Sequence, residues 1–243
     1  MFRITITFFF ILVNFPLYAS EQVKDDYLTL KLSNSNQEFK FSSSTRLHQA
    51  LTALEQHNVY ITYPLSTTLF SLNPSDVEQA RLSKERVLDL MKEYKLNKTE
   101  LFNLIQRSGT SKRVISNIDL DTIRLNKKNN PLLKGKYILS VGERGRPLLV
   151  LGNTPKIETI STEENMSLSS LFNDETALFK NLEHAPVLIY PDGKLTQSHI
   201  GNWKTKSYSL PPGTIIYIPF YKFEKSPLDK AIVELLINMN TAL

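Results

Sequence analysis

The sequence predicts an α+β protein made of two small sheet-and-helix domains. Three observations carry that expectation. Short apolar runs alternate at period two between turn residues, helical periodicities lie among them, and the order of elements before Gly145 resembles the order after it. No repeat is visible residue by residue.

The first element is not part of the folded body. Arg3 supplies a positive start, Ile4 to Val13 is an uninterrupted apolar run, and Ala19 and Ser20 are small residues suited to cleavage. Residues 1–20 therefore have the shape of a secretory signal peptide, and the run is short for a bilayer span of about 20 residues. Export across an inner membrane and a periplasmic address follow as expectations.

Tyr27 to Leu32 and Phe39 to Phe41 alternate on either side of Asn34-Ser35-Asn36, which predicts a hairpin. Leu47, Leu51 and Leu54 then have helical spacing behind the hydroxyls of Ser42 to Thr45. Val59 to Tyr63 reads as a strand stopped by Pro64. Hairpin, helix, strand is the order of a β-grasp unit, a small sheet wrapped around one helix. From Pro74 to about Arg107 the chain becomes charged and helical, with Ser75 as a cap, and a second helix starts near Thr99. This stretch, about 74–108, reads as a helical hairpin inserted into a first domain spanning 21–145.

The stretch from Arg113 to Gly145 closes that domain. Ile118, Leu120, Ile123 and Leu125 predict one half-buried strand, and Tyr137, Leu139 and Val141 a second, with Asn130-Pro131 turning between them. In a strand, Asp119 and Asp121 point to the same side. A second domain, 146–225, is expected from Leu148 to Leu151, Lys156 to Ile160, a short helix at Leu168 to Phe172, Pro186 to Tyr190 before the turn Pro191-Asp192-Gly193, and Thr214 to Pro219. Last comes an amphipathic helix within 226–243: Ser226 caps, Pro227 fits the first turn, and Leu228, Ile232, Leu235, Leu236 and Met239 share a side. That stripe must be covered, by the chain's own sheets, a membrane or a partner protein.

Composition excludes several chemistries. No cysteine is present, so disulfides, thiolate nucleophiles and N-terminal Cys lipidation are ruled out. An exported chain of this size without cysteine points to a bacterial envelope. Without Arg3 the 29 basic residues become 28 against 24 acidic, a mature charge of +4. The basic residues are dispersed, with no nucleic-acid-binding cluster, while acidic polysaccharide or anionic lipid remains a fitting partner. His48, His57, His184 and His199 have no metal-ligand spacing, and neither a nucleophile elbow nor a phosphate-cradling glycine loop occurs, so no metal or cofactor is expected. Asp119 and Asp121, side by side on one strand, do not straddle a glycosidic bond. Tyr60, Tyr63, Phe70, Trp203, Tyr208, Tyr217 and Tyr221 have the ring faces that suit sugars, most of them as core residues, and an arginine fork reads the carboxylate of an acidic sugar.

Taken together, Arg113, Ile118-Asp119-Leu120-Asp121-Thr122-Ile123-Arg124, Asn130-Pro131-Leu132-Leu133, Gly135-Lys136-Tyr137-Ile138-Leu139 and Val141-Gly142 resemble the capsule biosynthesis GfcC family of bacterial exopolysaccharide operons. Tyr190-Pro191-Asp192-Gly193, Trp203, Leu210-Pro211-Pro212-Gly213 and the closing helix extend the resemblance over nearly the whole mature chain. It departs at Leu120, where the family favours proline between the aspartates. The resemblance implies two β-grasp domains of the soluble-ligand-binding (SLBB) type, as in the outer-membrane polysaccharide exporter, and a role without catalysis in capsule or exopolysaccharide secretion. Expected partners are polysaccharide or that exporter, with the chain a monomer and membrane contact through the final helix left open. A family arginine in a cleft matches Arg113. Arg113, Arg124, Asp119 and Tyr137 are the candidate ligand-binding residues, Arg113 as the contact and Arg124 in a structural role.

Overall fold

Five-stranded sheets form twice, with one topology. The computed structural model describes residues 27–35, 37–42, 45–173, 182–198 and 207–240, so the expected leader, His199 and Trp203 lie outside it. The first sheet contains β1 (Tyr27–Leu32), β2 (Glu38–Ser42), β3 (Thr68–Ser71), β4 (Arg113–Ser116) and β5 (Gly135–Ser140) in the order β2-β1-β5-β3-β4. The second contains β6 (Leu148–Gly152), β7 (Glu158–Ile160), β8 (Val187–Ile189), β9 (Leu195–Gln197) and β10 (Ile215–Ile218) in the order β7-β6-β10-β8-β9. In each sheet the first and last strands are parallel at the centre and every other pairing is antiparallel. Helices α1 (Leu47–Glu55), α2 (Pro74–Glu93), α3 (Glu100–Arg107), α4 (Leu120–Leu125), α5 (Leu168–Asn173) and α6 (Pro227–Ile237) accompany the sheets, with short 3-10 turns at Pro64–Ser66, Lys127–Asn129 and Phe223–Lys225.

The first core lies on one face of the first sheet. Leu28 and Leu30 of β1, Leu69 of β3, and Tyr137 and Leu139 of β5 pack against Leu47, Ala50, Leu51 and Leu54 of α1 and Ile123 of α4. In the second half α5 occupies the place of α1, Leu168 and Leu171 packing on Leu148, Val150, Leu188, Ile216 and Ile218. The opposite face of the second sheet is covered too. Leu149, Leu151, Val187, Ile189 and Tyr217 meet Val87 and Met91 of α2, Leu101, Phe102 and Ile105 of α3, and Leu228, Ile232 and Leu235 of α6. Burial on both faces explains why β6, β8 and β10 are continuous apolar runs where an alternating pattern would suit a one-sided sheet.

The hairpin α2–α3 therefore lies between β3 and β4 in the chain yet packs on the second sheet, beside α6. Glu100, in the first turn of α3, also accepts from the Ile157 backbone at 2.6 Å. The apolar stripe of α6 packs within the chain, against the second sheet, α2 and α3. Each of its buried Leu and Ile side chains contributes about 1.5–3 kcal/mol.

Four local expectations need correction. Ile118 to Leu125 is not a strand: β4 ends at Ser116, and Asp119 accepts from Thr122 N at 2.9 Å as the N-cap of α4. Val59 to Tyr63 pairs with no strand, and β3 forms from Thr68-Leu69-Phe70-Ser71 instead. The N-cap of α2 is Asn73, with Pro74 first in the helix, and no side chain caps it. The N-cap of α1 is Arg46, whose N–H donates to Gln49 Oε1 at 2.8 Å, while Ser42 and Thr45 hydroxyls bond each other at 3.1 Å.

The start of α2 is tied to the sheet by Asp76, which accepts from Ser71 Oγ at 2.7 Å and from Lys112 Nζ at 2.9 Å. The Ser71 hydrogen bond, then Lys112, holds its carboxyl below the usual range. Stability from this site is present above the ordinary carboxylate pKa and is lost as pH falls through the folded value. Urea unfolding of the protein and of Asp76→Asn across the acid range is expected to show a gap at neutral pH that closes below the ordinary carboxylate range. A gap independent of pH contradicts this role.

Candidate functional site

Strand β4 delivers Arg113 to the junction of the two sheets. Its backbone N–H donates to Asn238 Oδ1 at 2.9 Å. Its Nε donates to the Ile237 carbonyl at 2.8 Å and its Nη1 to the Pro191 carbonyl at 2.8 Å, to Thr68 Oγ1 at 3.1 Å and to Ser116 Oγ at 3.4 Å. One guanidinium thus links β3 and β4, the end of α6, and the β8–β9 turn. The ring of Phe70 lies 5.3 Å from its carbon, within cation–π range.

Its surroundings follow from the elements on either side. The turn Pro191-Asp192-Gly193 comes close because Gly193 has φ +85° and no side chain, and a Cβ there would meet Arg113 Cδ at 3.2 Å. Asp192 is ion-paired with Lys194 at 2.8 Å. The end of α6 is held to the segment entering β4: Ser111 N donates to Asn238 O at 3.0 Å, and Asn240 Nδ2 to Ser111 Oγ at 2.6 Å. Tyr63 donates to the Pro212 carbonyl at 3.2 Å and adds another tie between the halves.

Between the sheets these ties leave a cavity of about 80 Å³, and its lining includes Arg113, Ser66, Thr68, Ser140, Arg146 and Asn240. That holds a carboxylate or a few waters and is well below the roughly 300 Å³ that encloses a whole small ligand. Burial pushes the Arg113 pKa down to about 10, partly opposed by Asp192, so the group keeps its charge at neutral pH. Its acceptors are carbonyls and hydroxyls, and among the described residues Nη2 has no hydrogen-bond partner. A desolvated cation lacking a carboxylate partner of its own, beside a second arginine and several hydroxyls, is chemically suited to an anionic oxygen.

The other candidates lie apart from this cavity. Tyr137 is buried in the core with α1. Asp119 caps α4, and Arg124 on the same helix is exposed, 3.8 Å from Asp121 and 3.2 Å from Thr52 Oγ1. Sequence reasoning missed Arg146, Ser66, Ser140 and Asn240, which come from three segments, the end of β5 and its connection to β6 supplying Ser140 and Arg146, and show no shared spacing. Of the sugar-suited aromatics, Tyr63, Phe70, Tyr208 and Tyr217 are buried, whereas Tyr60 and Tyr221 are exposed. Among the described residues no group of three His, Asp or Glu could hold a metal ion, and no helix is long and apolar enough to cross a membrane.

The halves match two known family models. Residues 24–144 match the one described as capsule biosynthesis GfcC, N-terminal, and residues 158–240 the one described as capsule biosynthesis GfcC C-terminal. A curated relative, Uncharacterized protein YjbG of Escherichia coli (strain K12), is 25% identical over 114 residues, 47% of this chain and 46% of that protein. The chain matches less than half the length of that relative. With one half of the fold matched by each model, in order and over most of its length, the chain belongs to the capsule biosynthesis GfcC family.

Proposed function

We propose that this protein is a non-enzymatic accessory of capsule or exopolysaccharide biosynthesis and export, that it acts in the periplasm after removal of a signal peptide, and that its two halves are β-grasp domains. Family membership supports the process. The strand order 2-1-5-3-4 with parallel central strands, found in both sheets, supports the β-grasp reading.

The observation that carries the binding role is the charged, partly unpaired guanidinium of Arg113 in a cavity between the domains whose lining mixes polar groups with apolar side chains such as Phe70, Leu149 and Ile215. It binds the acid group of a polysaccharide, with Arg146 and the hydroxyls of Ser66, Thr68 and Ser140 beside it, while the sugar ring stays outside. Catalysis is not part of this reading: Asp119 serves as a helix cap, and Asp121, on the same short helix, is exposed and lies 3.8 Å from Arg124. Docking through α6, the alternative, is disfavoured because the apolar stripe of α6 already lies inside the chain.

Deletion of the gene in its own organism, with the amount and chain length of surface polysaccharide measured, tests the role. Reduced or length-altered polysaccharide, restored by the wild-type gene, is the expected result. Unchanged polysaccharide overturns it.

A further inference from the structure

The loop between α4 and β5 is a second surface with chemistry of its own. From Thr122 to Gly142 the chain has five basic residues, Arg124, Lys127, Lys128, Lys134 and Lys136, and no acidic one. Arg124 leans toward Asp121, but Lys127, Lys128 and Lys134 are exposed and make no ion pair among the described residues. Arg46 joins them, donating to the Asn130 carbonyl at 2.9 Å. Two leucines stand out in water along this stretch: Leu125, the last residue of α4, is 89% exposed and Leu132, in the loop, 46%. An isolated exposed leucine is ordinary, whereas two beside four cations form a composite surface.

The loop is also held in shape. Asn130 is buried, accepts from His48 N at 3.1 Å and lies 2.7 Å from His48 Nδ1 through its amide nitrogen. The Pro131 carbonyl accepts from Leu47 N, Leu133 N donates to the Thr45 carbonyl, and Asn126 Oδ1 accepts from Lys128 N at 3.0 Å. The base of the loop is thereby fixed to the start of α1, so docking it costs little further ordering.

We propose that this loop docks the protein on an anionic phospholipid surface, its lysines on the headgroup phosphates and Leu125 and Leu132 in the interfacial layer. Charge complementarity selects an anionic partner, and the exposed leucines select one with an apolar interior. A polysaccharide fits less well, because residues 122–136 include no aromatic ring on which a sugar face could stack.

Flotation of the full mature chain with vesicles of phosphatidylcholine alone, or of equimolar phosphatidylcholine and phosphatidylglycerol, tests this. Binding only to the anionic vesicles, weakening as salt is raised, is expected. K127E/K128E is expected to weaken it by about thirtyfold or more, each lost cation accounting for a factor of about five. L125S is expected to weaken it by about tenfold. K95E/K98E, an equal change of charge at the α2–α3 turn, should leave binding nearly intact, and unchanged circular dichroism shows that each variant is folded. Absence of binding to anionic vesicles at low salt overturns the proposal. Equal loss in K95E/K98E also overturns it, as does capture of polygalacturonate through the same lysines without vesicle binding.

Discussion

Asp229→Ala is expected to destabilise the protein by about 3–5 kcal/mol, the cost of removing one side of a buried polar cluster. Asp229 is fully buried near the start of α6. Its Oδ1 accepts from the Tyr217 hydroxyl at 2.6 Å and from Phe220 N at 2.8 Å, its Oδ2 accepts from Tyr221 N at 3.1 Å, and its own N–H donates to the Ser226 cap at 3.1 Å. Alanine leaves a buried hydroxyl and two backbone N–H groups without their acceptor. It also loosens the start of α6, one of the three helices on one face of the second sheet. Tyr217→Phe removes only one donor and should cost about 1–2 kcal/mol. Burial, then Asp229, raises the Tyr217 pKa well above its ordinary value. The stability tied to its protonated form is complete below the ordinary tyrosine pKa and declines as pH rises beyond it, so Tyr217→Phe should flatten the alkaline loss. Urea unfolding at several pH values measures both effects.

Arg113→Ala is expected to cost about 2–4 kcal/mol and to loosen the two halves from each other. Two carbonyls, from Ile237 and Pro191, lose a charged donor, and the Phe70 ring loses its cation. Arg113→Lys keeps a charge but not the planar fork that reaches both carbonyls, so it should recover less than half of the loss. Unfolding by urea, with limited proteolysis at the 145–147 connection, checks this. A change within about 0.5 kcal/mol for Arg113→Ala contradicts the linking role.

Much of the fold was legible because its signals are local. Asn34-Ser35-Asn36 marked the first hairpin, Pro191-Asp192-Gly193 marked the second-half turn, and Ser226-Pro227 fixed the start of α6, where the cap bond is present. The error at Ile118 to Leu125 came from joining residues of opposite parity. Ile118 and Leu120 share one side of a strand, Ile123 and Leu125 the other, while the step of three from Leu120 to Ile123 is helical. Asp119 ahead of it, Asp121 in the first turn and Arg124 in the last were the overlooked helix signals. The proline that the resemblance favours at position 120 would also sit well there, since Leu120 is the first helical residue. β9 was missed because Leu195-Thr196-Gln197 is short and only its pairing with β8 makes it a strand.

Around the cavity, Arg113 was singled out through family resemblance and Phe70 as one of several aromatic rings, but nothing in the sequence brought the two together. The hydrogen-bond partners of Arg113 at Thr68, Pro191, Ile237 and Asn238 are between 45 and 125 residues away. No periodicity announces contacts of that kind, because they depend on how two sheets settle against a shared set of helices. Burial of Asp229 was equally hidden: at its position an acidic residue is ordinary at a helix start, and only the return of Phe220 and Tyr221 over it makes it internal.

Calorimetric titration of the mature chain with short uronic-acid oligosaccharides, and with the same oligosaccharides after carboxyl reduction, tests the cavity role most directly. Binding heat with the acidic form alone, lost in Arg113→Lys and weakened in Arg146→Gln, is the predicted result. Equal heats for both forms, or none for either, would contradict it.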